Sequence, residues 1–247
     1  KSIDVIIIGG GLAGKSTALH LSKKGYSVLI LEKDSDKNFI PCAGGIASSV
    51  KKFLPVDLSP AIETEVKKVH FTWQSKDKVI AELKGKSPFL IIKREILEDL
   101  LLSELLKNGT KIIKPILVEH IKKEHESWII SCKDKLIFKS KILVIADGSE
   151  SKWSTILKMG PPKPKYAQTI ALRINGLGNI SKDSVRFDFG SIKYGFAWAF
   201  PSLNSTNIGL GTFIGNYGLN NKLVNNKIIK NFGFQNFNKV QIQKKLR

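Results

Sequence analysis

Hydrophobic positions along the chain change period several times, and each change marks an element. Val5 to Ile8 is an unbroken apolar run, the signature of a strand buried on both faces, and it ends in the glycines Gly9, Gly11 and Gly14. Ala18 and Leu21 then mark a helix that Gly25 ends, and a second apolar strand runs Val28 to Leu31 into Glu32. A polar turn (Asp34 to Asn38), the segment Pro41 to Ile46 and a short helical stretch near Ala47 to Phe53 follow. Alternation then predicts strands at Val69 to Trp73, Val79 to Leu83 and Phe89 to Ile92. Arg94 to Asn108 is the clearest helix: Ile96, Leu97, Leu100, Leu101, Leu105 and Leu106 recur at three- and four-residue steps, and Gly109 closes it. Short strands are predicted at Lys111 to Ile113, Leu117 to Ile121, Trp128 to Ser131 and Leu136 to Phe138, then an apolar strand Ile142 to Ala146 ending in Asp147-Gly148. Pro161, Pro162 and Pro164 break the pattern. Beyond them lie strands Ala167 to Ile174, Val185 to Phe189, Ala197 to Phe200 and Asn207 to Phe213, and a basic helical tail.

Strand, glycine turn, helix and strand at the front, with strands predominating at the back, predict an α/β fold: a Rossmann-type nucleotide domain at 1–160 and a β-rich substrate domain at 161–247. The strands about 66–92 interrupt the first domain and are candidates to join the second.

The front unit carries chemistry because its glycines have separable jobs. Gly9 permits the tight turn, Gly11 lets backbone approach a pyrophosphate, and Gly14 lets helix and strand pack closely. The helix N-terminus then faces the phosphates, with Ala13 in its first turn. Glu32, with Lys33 beside it, stands where a carboxylate accepts hydrogen bonds from an adenosine ribose and repels a 2′-phosphate, so FAD or NAD is expected rather than NADP. The same letters admit a rival. Gly9 to Ser16 (GGGLAGKS) also fits the phosphate-loop pattern, with Lys15 as its lysine and Asp147 as a magnesium ligand. The phosphate loop, however, does not require Gly11 or predict the Ala18, Leu21, Gly25, Val28, Glu32 series.

Composition narrows the partners. A chain of 247 residues with a net charge of +19 invites a nucleic-acid reading. Arginine is confined to Arg94, Arg173, Arg186 and Arg247, and the lysines are spread along the chain, so no nucleic-acid partner is expected. Weak attraction to an acidic membrane surface is compatible with the charge and matters for a lipid substrate. The apolar runs are too short to span a bilayer, and a cytoplasmic protein, at most peripheral to membrane, is expected. Cys42 and Cys132 suggest no disulfide framework. His20, His70, His120 and His125 have no ligand spacing, and no metal is expected.

Three more segments give a resemblance to the geranylgeranyl reductase family, flavoproteins on the p-hydroxybenzoate hydroxylase fold. Pro41-Cys42-Ala43-Gly44-Gly45-Ile46 is similar to that family's Pro-Cys-Gly-Gly-Gly segment. Ala146-Asp147-Gly148 with Ser151 resembles the Asp-Gly motif of FAD hydroxylases and reductases. Phe196-Ala197-Trp198-Ala199-Phe200-Pro201 resembles the Tyr-x-Trp-x-Phe-Pro signature, and Asn207 to Gly211 the strand after it; Arg94 matches an arginine before the long helix. The resemblance implies FAD as cofactor, reduced by NAD(P)H or another donor, and a prenylated lipid or pigment precursor as substrate. It implies flavin contacts from Cys42, Ala43, Gly44, Arg94, Asp147 and Gly148, substrate contacts from Gly45, Phe196, Trp198 and Phe200, and Cys42 as redox or proton partner. Read without it, Cys42 is a small residue in a crowded turn and Asp147 a turn former. An FAD hydroxylase is the alternative activity on this fold, and a non-catalytic fragment the alternative to an enzyme.

The departures are specific. Phe196 replaces the usual Tyr, and Ser154 stands where related motifs carry Arg. The family continues into a second Gly-Asp motif that holds the ribityl chain, whereas no Asp or Glu occurs after Asp188. The expectation is therefore a piece of a longer protein or one lacking half of the flavin site.

Overall fold

The computed structural model describes residues 3–35, 42–161, 167–214, 222–235 and 241–246. Pro41, Pro162, Pro164 and most of the polar turn after Glu32 lie outside the described residues. The chain divides into two compact units, one of residues 1–38, 54–58 and 95–164, the other of 39–53, 59–94 and 165–247.

The first unit is built on β1 (Ile3–Ile8), α1 (Leu12–Ser22) and β2 (Val28–Leu31). β1 pairs in parallel with β2 on one side and with a distant strand on the other, so Val5, Ile6 and Ile7 are sealed from solvent and no polar residue fits there. α1 buries Gly14, Ala18 and Leu19, while Leu21, expected to share that role, is half-buried. The second unit begins with β3 (Gly45–Ala47), β4 (Ile62–Glu65), β5 (Lys68–Trp73), β6 (Lys76–Glu82) and β7 (Phe89–Ile92). The chain then returns to the first unit along α2 (Arg94–Lys107), whose buried Leu97, Leu101 and Leu105 form a stripe at four-residue steps. β8 (Lys111–Ile113), β9 (Val118–Glu124), β10 (Ser127–Cys132), β11 (Ile137–Ile145) and the short α3 (Lys152–Ile156) complete the unit. Its sheet runs β8-β2-β1-β11-β10-β9, parallel as far as β11 and antiparallel beyond. Two strands were expected where β11 is one. The polar Lys139-Ser140-Lys141 stretch does not break it, because Ser140 turns inward and donates its hydroxyl to the Ile142 carbonyl at 2.8 Å.

The second unit continues with β12 (Gln168–Asn175), β13 (Ser184–Phe189), β14 (Gly195–Pro201), β15 (Ser205–Thr212), α4 (Lys222–Asn231) and β16 (Gln241–Leu246). Its larger sheet runs β16-β12-β15-β14-β13-β5-β6, with β5 and β13 parallel, so the strands at 68–82 share a sheet with those after 167 while β7 does not. A smaller sheet runs β3-β7-β4. β4 had no clear alternation, and β16 lies where a helical tail was expected.

Alternation gives the large sheet two different faces. Ala197, Ala199, Ile208 and Leu210 pack with Ile228, Ile229 and Phe232 of the α4 region. The opposite face is aromatic. Across it Phe71, Phe187, Trp198, Gly209 and Ala171 stand in register, and beside them Trp73, Phe189, Phe196, Gly211 and Thr169.

Candidate functional site

In the first unit the three glycines differ in what surrounds them. A Cβ at Gly9, whose φ is +103°, would lie 2.2 Å from the Ala146 carbonyl oxygen and 2.8 Å from the Asp147 Cα. This glycine lets the end of β1 meet the Asp-Gly turn after β11. At Gly14 a Cβ would lie 1.9 Å from the Gly9 carbonyl oxygen, so helix and loop are in backbone contact. At Gly11 nothing lies within 4 Å of that position. The cradle is closed at its floor and open where a ligand would enter.

The electrostatics fit an anion there. Gly11 is the residue before α1, no side chain caps the helix, and its first turn holds no acidic residue, so amide N–H groups and the positive end of the helix dipole face the opening. Glu32 is turned toward the same loop. Its carboxylate accepts from the Gly10 N–H, and from the Asp34 N–H at 3.0 Å. Sequence reasoning gave Glu32 a ribose contact; the structure adds that it braces the glycine loop. Asp147 Oδ1 is buried with no hydrogen-bond partner among the described residues, and Gly148, at φ +92°, turns the chain away beside it. A closed glycine floor, an open mouth and an unpartnered carboxylate oxygen fit a dinucleotide. Lys15 fits the phosphate-loop alternative poorly. Its ammonium is held 2.9 Å from Glu98 of α2, and both side chains are largely buried.

In the second unit Cys42 Sγ accepts from the Gly44 N–H at 3.4 Å. Gly44, at φ +78°, brings its backbone against β7, where a Cβ would lie 2.3 Å from the Ile92 carbonyl oxygen and where Gly44 O accepts from the Ile92 N–H at 2.8 Å. Gly45 is shaped by aromatic packing, because a Cβ there would lie 2.6 Å from Phe89 and 2.8 Å from Phe200. The Cys-Ala-Gly-Gly segment and the Phe-x-Trp-x-Phe strand are thus brought together, with Ala43 packed against the cluster around Phe200. Phe196 and Trp198 stand 5.7 Å apart, and Phe187 bridges Phe196 and Phe200 at 5.9 and 5.3 Å. Gly209 makes room for the Trp198 indole, since a Cβ there would lie 1.8 Å from the ring. Trp198 Nε1 is buried without a hydrogen-bond partner among the described residues.

Arg94 opens α2. Cys132 is buried, and burial pushes its thiol up to about 11, so it is not a nucleophile near neutrality. Sequence reasoning missed the Arg173–Asn207 pair, with Arg173 Nε donating to Asn207 Oδ1 at 3.2 Å beside Phe200 in the register. No single residue pattern encodes that pairing; only the β12–β15 register does. Among the described residues, no group of His, Cys, Asp and Glu could hold a metal ion.

The class is now defined: an FAD-binding flavoprotein fold of the p-hydroxybenzoate hydroxylase type, joined to a β-rich unit. Residues 4–44 match the family of FAD dependent oxidoreductases. The chain is 28% identical to an uncharacterized protein of Methanosarcina barkeri over 81% of this chain and 51% of that protein. It is 25% identical to the digeranylgeranylglycerophospholipid reductase of Methanococcus vannielii over 87% of this chain and 57% of that one. Among solved structures, a geranylgeranyl bacteriochlorophyll reductase-like protein from Thermoplasma acidophilum superimposes with a TM-score of 0.80 at 21% identity, covering 100% of this chain and 65% of that one. A variant of the halogenase PltM in complex with FAD superimposes with a TM-score of 0.74 at 17% identity, covering 100% and 60%. The resemblance read from the motifs therefore holds, and the match to FAD dependent oxidoreductases falls on the stretch that contains the glycine loop. The chain spans about half the length of the curated relatives it matches.

Proposed function

We propose that the protein is an FAD-dependent reductase that saturates carbon–carbon double bonds of a geranylgeranyl or other polyprenyl group on a lipid or pigment precursor. The observation that carries the substrate class is the aromatic face: rings from β5, β13 and β14 form one apolar wall in the same unit as the Cys42 to Gly45 segment. A prenyl chain has no polar group to bind, and it is recognised by apolar surface and by exclusion of water. Reduced flavin, when bound, supplies hydride to one alkene carbon, with NAD(P)H or another donor restoring it.

The chain's own residues divide the remaining work. In the first unit Gly11 and the first turn of α1 would hold the pyrophosphate, Glu32 would accept from the adenosine ribose and the Asp147-Gly148 turn would contact the cofactor; in the second unit the Cys42 to Gly44 backbone and Arg94 are the candidate contacts to it. Phe196, Trp198 and Phe200 align the chain and keep water from the reacting carbons. The Cys42 thiol, or a water in its place, gives its proton to the second alkene carbon, so one hydride and one proton add across each bond.

The test is anaerobic incubation of the reduced, FAD-loaded protein with a geranylgeranylated phospholipid, followed by mass spectrometry. A mass gain of two hydrogens per double bond is expected, slowed by Cys42→Ala with FAD content unchanged. An unaltered lipid would sink the reading, and oxygen inserted into an aromatic substrate in a parallel incubation under air would replace it with a hydroxylase.

A further inference from the structure

The aromatic face does not end where it is buried. Phe200 is 6% exposed, and ring contacts continue from it through Phe187 and Phe196 to Phe189 at 37%, Phe71 at 39% and Phe213 at 64%, with Trp73 at 57% beside Phe189 in the register. Isolated exposed apolar side chains are ordinary, but a contiguous set joined to a buried apolar wall is not. These side chains are also held in place. Trp73 lies over Gly190, where a Cβ would come within 2.7 Å of the indole. The turn after Trp73 is fixed by Gln74 N donating to Phe189 O at 2.7 Å and Ser75 N donating to the buried Asp188 Oδ1 at 2.6 Å. Phe213 N donates to Tyr194 O at 2.9 Å. The fold thus spends fixed backbone contacts on presenting aromatic rings to solvent.

The charges around this rim are mostly of one sign. Lys76, paired with Trp73 where β6 begins, and Lys193, which precedes Tyr194, are both exposed, with Asp77 the acidic residue after Lys76. No Asp or Glu follows Asp188 anywhere in the sequence. Exposed aromatics ringed by lysine complement an anionic bilayer: the rings enter the headgroup boundary and the ammonium groups meet lipid phosphate.

We infer that the rim formed by Phe71, Trp73, Phe189 and Phe213 docks on an anionic lipid bilayer, so that the aromatic face runs from the membrane surface into the protein. That prenyl chains travel along it rests on the reductase reading above; the docking itself is measurable without turnover.

The experiment is sedimentation with vesicles of phosphatidylglycerol in phosphatidylcholine, against phosphatidylcholine alone, none carrying prenyl lipid. The FAD-loaded chain is expected to bind the anionic vesicles at least about tenfold better, and to release in about half-molar salt. Trp73→Ser with Phe213→Ser should weaken binding at least about tenfold, with circular dichroism and FAD content unchanged. Should that variant misfold, Lys76→Glu with Lys193→Glu decides, since it leaves the rings in place. It should weaken binding more than about tenfold, each charge reversal outweighing the roughly fivefold worth of one neutralised lysine. Wild-type protein left in the supernatant, or a correctly folded rim variant that binds as the wild type does, overturns the proposal. So does a concentration-dependent dimer that Phe213→Ser abolishes, which would make the rim a contact between copies. Vesicle binding lost while detergent-dispersed prenyl lipid is still reduced would remove the docking and leave the reductase reading standing. The opposite pattern would do the reverse.

Discussion

Gly11 and Gly14 stand three residues apart, one just before α1 and one in its first turn, yet a methyl group would mean opposite things at the two positions. At Gly11 it enters open space, and the backbone φ of −73° suits any residue. Gly11→Ala should therefore leave the unfolding midpoint within the roughly ±0.5 kcal/mol of a neutral surface change, while FAD titration shows affinity falling at least about tenfold. Gly14→Ala should lower stability itself, by about 1–3 kcal/mol in urea unfolding, because its Cβ meets the Gly9 carbonyl and the helix must move. Equal effects from the two would mean that the loop does not divide its work in this way. Glu32→Ala should weaken FAD by about 1.5–3 kcal/mol, losing a charge-assisted contact and also the brace on Gly10 N. Unchanged affinity in a flavin titration would take Glu32 out of the site. The glycine roles were legible in the sequence because spacing alone distinguishes them. The role of Gly45 was not: its neighbours Phe89 and Phe200 are distant in sequence, and only packing brings their rings onto it.

Strand β13 shows what alternation reveals about an element and what it conceals. Val185, Phe187 and Phe189 alternate with Arg186 and Asp188, and that pattern predicts a strand. The strand is there, but its charged face lies on the α4 side, with Arg186 at 9% exposure and Asp188 at 0%. Burial is tolerated because the polar groups satisfy one another. Asp188 accepts from Thr72 Oγ1, Ser75 N and Ser191 Oγ, while Arg186 donates to the Asn231 carbonyl and lies over the Phe232 ring. These partners come from three other stretches of chain, so no local pattern could announce them. Asp188→Ala should destabilise by about 3 kcal/mol in urea unfolding, since it leaves the buried Thr72 hydroxyl and the part-buried Ser75 N–H and Ser191 hydroxyl without that acceptor and removes the negative charge that favours the nearby Arg186 guanidinium. A loss below about 0.5 kcal/mol would mean water enters and the network is not closed. Because Asp188 also fixes the turn after Trp73, the same variant should loosen the β5–β6 hairpin, seen as faster amide exchange at Ser75.

At the scale of the whole molecule, the net charge of +19 is legible in composition, but how it is carried inside the fold is not. His70 shows the consequence. It stands on β5 beside Arg186 in the register, is 8% exposed, and has its pKa lowered first by burial and then by Lys78, Arg186 and Lys68, with Asp183 opposing weakly. The folded protein therefore binds the imidazole proton less readily than the unfolded chain, whose histidine titrates near 6.5. Above that pH neither state holds the proton and stability is complete; below it the unfolded chain takes up a proton that the fold resists, and stability falls. Asp4, Glu104 and Asp183, held below the usual carboxylate range chiefly by hydrogen bonds from Ser27, Lys107 and Ser181, lose their contributions only at more acidic pH, so the two windows separate. Urea unfolding at about pH 7.5 and about pH 5 should show the wild type weakening toward acid, and His70→Gln should flatten that interval without steepening the drop below it. An unchanged slope in His70→Gln would place the proton uptake elsewhere and leave Arg186 and the lysines around His70 without an energetic role in acid.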